Sequence, residues 1–202
     1  MALQRYSLTS LLAAAATSLA LVVPASANAG LLVASAQDCE TQAFSQPFLP
    51  WADQAQYTLH PGGDFEGRPW TGGTVVDGNE PFYVGSSSDS HSLALAQGNS
   101  VVSPSICVGI EHPDMRFFGK SSSRVSSLRV DVLFEDAGGT VQSLPIGALG
   151  GTGTWTLSPT YVIGANLLPL LPGSKTAVAF RFTAVSGDWQ VDDVYVDPFT
   201  RW

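Results

Sequence analysis

Two adjacent aspartates, Asp192 and Asp193, stand inside the segment "DWQVDDVYV", where apolar residues alternate as they do in a β-strand. A carboxylate buried in such a strand is costly unless it accepts hydrogen bonds, pairs with a cation or binds a metal. The apolar residues before and after the pair fall on opposite parities. This break in parity predicts a β-bulge at the aspartates.

A second acidic pair, Asp64 and Glu66, lies in "PGGDFEGRPW", which joins a tight glycine turn to Trp70. Paired carboxylates can hold a hard cation or serve as the acid and base of a glycosidase. Glycosidase pairs could be drawn from Glu66, Glu80, Glu111 and several aspartates. Because acidic residues are plentiful in this chain, such a pairing is not a specific signal.

Other catalytic motifs lack the context that their chemistry requires. The serine-rich segment "VGSSSDS" is not a G-x-S-x-G nucleophile elbow, and the glycine-rich "GALGGTG" is followed directly by a predicted strand. The histidines, His60, His91 and His112, have no H-E-x-x-H spacing for zinc. The sequence therefore predicts a protein that is not an enzyme.

The charge balance restricts the partners. The chain has 17 acidic and 9 basic residues and a formal net charge of -8, with no basic cluster. Such a surface argues against nucleic acid and anionic membranes as partners. It is compatible with calcium and with neutral polymers such as polysaccharides.

Short alternating segments separated by turn residues indicate an all-β domain. In "SLRVDVLFED", one face carries Leu128, Val130, Val132 and Phe134. The other face, which is predicted to be wet, carries Arg129, Asp131 and Glu135. "TAVAFRFTAV" repeats the pattern, and "FYVGS" is another predicted strand. One domain is expected, because no repeat or linker interrupts the pattern.

The first 29 residues have the features of a signal peptide: an early basic residue, an apolar run and the small residues of "ASANAG". No later stretch approaches the roughly 18 apolar residues of a membrane-spanning helix. The chain is therefore predicted to be secreted, with no membrane insertion after cleavage. In an oxidising compartment Cys39 and Cys107 are expected to form a disulfide, with two free thiols as the alternative.

Both ends of the β-rich region resemble motifs of one protein family. "GGDFEG" with Trp70, and "DWQVDDVYV", resemble the opening and closing motifs of carbohydrate-binding modules of the galactose-binding-like jelly-roll type. The resemblance implies an antiparallel β-sandwich of jelly-roll type over residues 61–202. Residues 30–60 precede the usual starting motif, and their hydrophobic residues predict that this segment packs on the sandwich.

The resemblance also implies a structural calcium ion between the first and last strands. Its ligands would be the opening glutamate, Glu66, and a closing aspartate, Asp192, with Asp193 as the rival and Asp64 as a helper. The bulge would turn Asp192 toward Glu66 and leave Asp193 facing solvent or a loop. The alternative is that the two aspartates cap hydrogen bonds at the bulge.

Sugar binding in such folds requires exposed aromatic side chains, because the C–H face of a sugar ring stacks on an aromatic face. In a regular strand only one member of each pair in "RFFG" and "PFYVG" can face inward, which leaves the other available. The candidate ligand-binding residues are Trp70, Tyr83, Phe118 and Trp155.

The sequence thus predicts a secreted, monomeric, non-catalytic module that binds an extracellular polysaccharide or cell-wall glycan. The alternative is a structural or adhesive surface protein with the same fold and no sugar site.

Overall fold

The computed structural model describes residues 42–67, 70–109, 112–136, 138–164 and 175–198. Within these ranges the helical structure is a 3₁₀ turn over Leu49–Trp51, and no helix is long and apolar enough to cross a membrane. The predicted signal peptide and Cys39 lie outside the described residues, as does the beginning of the segment 30–60.

Twelve β-strands account for about half of the described residues. They are β1 (Thr58–Leu59), β2 (Thr74–Asp77), β3 (His91–Leu95), β4 (Ser100–Val102), β5 (Ile106–Gly109), β6 (Asp114–Ser121), β7 (Ser127–Glu135), β8 (Val141–Gly150), β9 (Thr156–Leu157), β10 (Tyr161–Val162), β11 (Lys175–Ser186) and β12 (Trp189–Asp197).

The strands form two sheets in which every pairing is antiparallel. The larger sheet has the order β10-β6-β12-β3-β2, with β1 paired to β12 and β9 paired to β6. The smaller sheet has the order β4-β11-β7-β8, with β5 paired to β11. This architecture confirms the predicted antiparallel β-sandwich, and it places the closing motif, β12, in the middle of the larger sheet.

The core lies between the two sheets. Leu128 and Val130 of β7, and Val178, Phe180 and Phe182 of β11, are fully buried in it. Burying each such side chain contributes roughly 1.5–3 kcal/mol. The period-two alternation of these strands therefore predicted their inner faces correctly.

The outer face of the smaller sheet differs from the prediction at Asp131 and Glu135. Both residues were expected on a wet face, but both are buried. The Asp131 carboxylate accepts hydrogen bonds from Arg129 Nε at 3.2 Å and from Arg181 Nη2 at 3.1 Å. Two guanidinium groups thus compensate for the burial of the charge.

The N-terminal segment packs on the outer face of the larger sheet. Phe48 and Tyr57 form a second apolar cluster with Phe118 of β6 and Tyr195 of β12. The Phe48 ring lies edge-on to the rings of Tyr57 and Tyr195, at centroid distances of 5.0 and 5.6 Å. An ion pair of 2.7 Å between Asp53 and Arg116 Nη1 ties the same segment to β6.

Candidate functional site

A β-bulge interrupts β12 at the two aspartates, as the sequence predicted. The pairing of β12 with β6 shifts register between Asp192 and Tyr195, and Asp193 has a φ of 47°. Both residues are nevertheless only 1 % exposed. Solvent exposure of Asp193, one of the two predicted outcomes, is therefore wrong, and this side chain lies beside the loop between β2 and β3.

Asp192 caps backbone hydrogen bonds at the bulge. Its Oδ1 accepts the N–H of Asp193, and its Oδ2 accepts the N–H of Glu80, both at 2.9 Å. This is the alternative that the sequence left open for the pair. The glutamate whose backbone reaches Asp192 is Glu80, from the loop between β2 and β3, rather than Glu66.

Glu66 binds the far end of that loop instead. Its Oε1 accepts the N–H groups of Ser90 at 2.6 Å and His91 at 2.7 Å, and its Oε2 lies 2.8 Å from His91 Nδ1. Burial alone would raise the pKa of Glu66, but these hydrogen bonds lower it to about 2. Asp64 accepts the N–H of Glu66 at 3.4 Å. Glu66 and Asp192 thus anchor opposite ends of one loop, and Asp89 of that loop interacts electrostatically with both carboxyl groups. The approach of Asp192 to Glu66 stays a prediction.

The carboxyl groups at the bulge are electrostatically unfavourable. Burial raises the pKa of Asp192 to about 8, although the two N–H groups that donate to its carboxylate lower the pKa. The carboxylates of Glu80 and Asp89 also raise it. The pKa of Asp193 is also raised, by burial, by the neighbouring carboxylates of Asp192, Glu80 and Asp89, and by a side-chain hydrogen bond to Glu80 that requires a shared proton. When Asp193 is ionised, both its carboxyl oxygens lack a hydrogen-bond donor among the described residues.

The fit of these residues to calcium is partial. Calcium takes about six to eight oxygen ligands, and the unpartnered oxygens of Asp193 are suited to a cation. Within the described ranges, however, no group of three or more His, Cys, Asp or Glu side chains is arranged to hold a metal ion. Calcium at Glu66, Asp64, Asp192 and Asp193 remains a prediction.

The carboxylates of Glu80, Asp192 and Asp193 are buried, so a substrate cannot reach these three groups in this structure.

Glu80 shapes the loop that carries the exposed aromatic residues. Its buried carboxylate accepts the N–H groups of Phe82 and, at 2.8 Å, of Val84. The chain turns sharply here, since Tyr83 has a φ of 54°. As a result Phe82 and Tyr83 are 49 % and 51 % exposed. The prediction of a strand over "FYVGS" is wrong, because Glu80 holds these residues in a turn.

Phe82 and Tyr83 face the N-terminal segment across an open cavity of about 630 Å³, which we call the aromatic pocket. The rings of Phe82 and Trp51 meet edge-on at a centroid distance of 5.1 Å. The pocket is lined by Gln46, Pro47, Leu49, Pro50, Trp51, Phe82, Tyr83 and Val84.

The four predicted aromatic residues have different positions. Tyr83 lines the aromatic pocket, and Trp155 is partly buried with Lys120 Nζ 5.9 Å from its ring centroid. Trp70 is 2 % exposed in the core between the sheets, and Phe118 is fully buried. These two predictions are wrong, because neither ring offers a face to a ligand in this structure.

Phe118 does project from the outer face of the larger sheet, but other rings cover it. Trp51 and Phe82 lie 5.4 and 5.3 Å from it, centroid to centroid. Sequence reasoning missed the pocket because Trp51 comes from the segment before the opening motif. The one local signal was the pair of aromatics between Pro81 and Gly85, which is typical of a turn.

A second cavity, of about 360 Å³, lies on the same outer face. Lys120 of β6 pairs with Gln190 of β12, which pairs with Ala94 of β3, and all three line the cavity. Lys120 follows Phe118 by two positions on β6, so both side chains project from one face of the sheet. The larger sheet therefore carries a second cavity on its outer face.

No protein-family model matches the sequence, and no curated protein matches it. Among solved structures the neighbours are mostly carbohydrate-binding modules. The C-terminal family 6 module of a laminarinase from Zobellia galactanivorans has 14 % identity and a TM-score of 0.44, over 67 % of this chain and 95 % of that one. A family 6 module from Cellvibrio mixtus lichenase 5A, in complex with cellotriose, has 14 % identity and a TM-score of 0.44, over 68 % and 95 %. The xylan-binding family 22 module of a Paenibacillus barcinonensis protein has 14 % identity and a TM-score of 0.42, over 73 % and 88 %.

Proposed function

We propose that the chain is a non-catalytic glycan-binding module whose site is the aromatic pocket. The observation that carries this proposal is the pair of half-exposed rings, Phe82 and Tyr83, beside Trp51 in an open cavity. A pyranose ring presents C–H groups that pack on an aromatic face, while its hydroxyls need polar partners. Gln46 and the hydroxyl of Tyr83 supply polar groups at the same pocket.

The chemistry of the pocket favours a neutral glycan. No residue that lines it carries a formal charge, and the chain as a whole has a net charge of -8. An anionic polymer would be repelled by the acidic surface without any compensating cation in the pocket.

Retention on insoluble polysaccharides tests the proposal. The purified chain is mixed with cellulose, xylan, chitin and peptidoglycan, and bound protein is measured after washing. Tyr83→Ala and Phe82→Ala should each weaken retention by about 1–2 kcal/mol, because each removes a stacking face. Val185→Ala, which truncates a half-exposed side chain of the smaller sheet, is the control. Failure of the unaltered chain to bind any of these polymers would favour the structural or adhesive alternative.

We also propose that calcium binds at the β12 bulge. The unpartnered oxygens of Asp193 and the raised pKa of Asp192 both support a cation there, because a positive charge would stabilise the ionised carboxylates. Thermal melting with added calcium or with chelator tests this. Calcium should raise the melting temperature, and equal melting temperatures in the two solutions would contradict the proposal.

We further propose that the chain is secreted and that Cys39 and Cys107 form a disulfide. Gln42 Nε2 donates a hydrogen bond of 3.0 Å to the Cys107 carbonyl, so the chain three residues after Cys39 lies against the strand of Cys107. This proximity supports the pairing of Cys39 with Cys107. Alkylation of the unreduced, denatured protein should leave both cysteines unmodified, and modification of either one would contradict the disulfide.

A further inference from the structure

We propose that Glu80 is the positioning residue of the aromatic pocket: anchored by its backbone to the bulge of β12, it holds Phe82 and Tyr83 in the exposed turn. The contacts of Glu80 are independent of the proposed glycan-binding function. Their effect on ligand binding rests on that function. Glu80 itself is buried and does not line the pocket, so it acts through its neighbours.

Glu80 organises the turn through its side chain. Its two carboxylate oxygens accept the N–H groups of the residues two and four positions later, Phe82 and Val84. Such charge-assisted hydrogen bonds are shorter and stronger than neutral ones. The same carboxylate therefore satisfies two backbone donors that a turn of this kind would otherwise leave without partners.

The backbone of Glu80 ties the turn to the sheet. Its N–H donates to Asp192 Oδ2, and Asp192 is held by the N–H of Asp193 on its other oxygen. Residues 80 and 192 are 112 positions apart in the chain, and β12 is the middle strand of the larger sheet. The turn is thus fastened to a rigid part of the fold.

The turn also fits closely against the bulge. A Cβ added at Gly85 would lie 3.0 Å from Asp193 Oδ1 and 3.2 Å from the Tyr195 hydroxyl oxygen. Tyr83 has a left-handed φ of 54°, which is unfavourable for a residue other than glycine. The surrounding contacts must therefore maintain this conformation.

The result of these contacts is an exposed pair of rings rather than a buried one. Exposed aromatic residues contribute little to the core, whereas a fixed aromatic pair loses less conformational entropy when a ligand stacks on it. The geometry thus assigns the buried carboxylate at residue 80 to the ligand site rather than to the core.

Glu80→Gln tests the assignment, because the amide keeps one acceptor oxygen and points an NH₂ group at the other N–H. Asp136→Asn is the matched control: Asp136 Oδ1 accepts the N–H groups of Gly138 and Thr140 at 2.9 and 3.0 Å, in the turn between β7 and β8. Hydrogen exchange of individual amides is measured in both variants and in the unaltered chain. In the unaltered chain the amides of Phe82 and Val84 should exchange about tenfold or more slowly than that of Tyr83.

Glu80→Gln should remove that protection at one or both amides while the β12 amides stay protected. Asp136→Asn should leave the amides of Phe82 and Val84 unchanged. Unprotected amides at Phe82 and Val84 in the unaltered chain would overturn the assignment, and this measurement does not depend on the variant folding. Full protection of both amides in Glu80→Gln would overturn it as well.

Affinity for the polysaccharide that the unaltered chain retains is the second readout. Glu80→Gln should weaken it about tenfold, as expected for the loss of one hydrogen bond to a charged group. The same substitution in a chain that already carries Phe82→Ala and Tyr83→Ala should cause no further loss. An equal loss in both backgrounds would show that Glu80 does not act through the two rings. If no polysaccharide is retained, the proposed function fails, and the exchange measurement alone decides whether Glu80 holds the turn.

Discussion

Raising the pH from about 4 to 8 in the presence of chelator should destabilise the fold through Asp192. The pKa of this carboxyl group is raised from 3.8 to about 8 by burial. The folded chain therefore keeps a proton that the unfolded chain has already released. Asp192 leaves the stability unchanged below pH 3.8, its pKa in the unfolded chain. The stability falls as the pH rises from there to about 8, the pKa in the folded chain, and is constant above it.

The magnitude follows from the separation of the two pKa values. Each pH unit between them lowers the free energy of unfolding by about 1.4 kcal/mol. Between pH 3.8 and pH 7 the penalty from Asp192 reaches on the order of 4 kcal/mol. Asp193 acts in the same direction, since its pKa is also raised. His60 acts in the opposite direction below its unfolded pKa of 6.5, because burial lowers its folded pKa to about 3.

Comparison with Asp192→Asn measures the contribution of Asp192 together with its electrostatic effect on the pKa of Asp193. Urea unfolding of both proteins is measured with chelator at about one-unit steps between pH 5 and pH 8. His60 is present in both, so its contribution cancels from the difference. The stability of the unaltered chain relative to the variant should fall by about 1.4 kcal/mol per pH unit up to pH 7.

Asp136→Asn is the control, because hydrogen bonds hold the pKa of the Asp136 carboxyl below its usual range. Its stability should run parallel to that of the unaltered chain over these pH values. Parallel curves for Asp192→Asn and the unaltered chain would refute the reasoning. Saturating calcium should reduce the slope, because a bound cation favours the ionised carboxylates.

Three further substitutions test the packing. Phe48→Ala should cost about 3–5 kcal/mol in urea unfolding, because the ring is fully buried in the outer cluster; a loss below about 1 kcal/mol would contradict that role. Gly147→Ala should cost about 1–3 kcal/mol, since the new Cβ would lie 2.2 Å from the Tyr161 ring, whereas Gly150→Ala meets nothing within 4 Å. His60→Phe should make stability less sensitive to acid, because the buried imidazole loses stabilisation as the pH falls from 6.5 toward 3. An unchanged acid unfolding midpoint would argue against its burial as the cause.

Local sequence patterns predicted the features that depend on neighbouring residues. Alternation along the strands predicted the all-β class and the inner faces, and the break in parity at Asp192 predicted the bulge. These signals work because successive side chains of a strand point to opposite faces. They require no knowledge of the other sheet. The sandwich itself was implied by the resemblance of the two end motifs.

The same patterns cannot tell what covers an outward face. Phe118 was predicted correctly to point away from the core, but whether it meets solvent depends on the N-terminal segment. Asp131 was placed on the outer face for the same reason, and its burial depends on Arg181 from another strand. The Glu80–Asp192 contact joins residues 112 positions apart, so no local spacing could identify it.

The contact of the N-terminal segment with the larger sheet affects where this domain can be divided. A recombinant fragment that begins at Pro61, next to the opening motif, would retain β2 to β12 and nearly all of the core. It would lose Trp51 and Phe48, and with them one wall of the aromatic pocket. It would also expose Phe118 and an adjoining apolar surface to water, which favours aggregation. The shortest fragment suited to transfer into another protein therefore begins before Cys39, so that it keeps both the pocket wall and the proposed disulfide to Cys107.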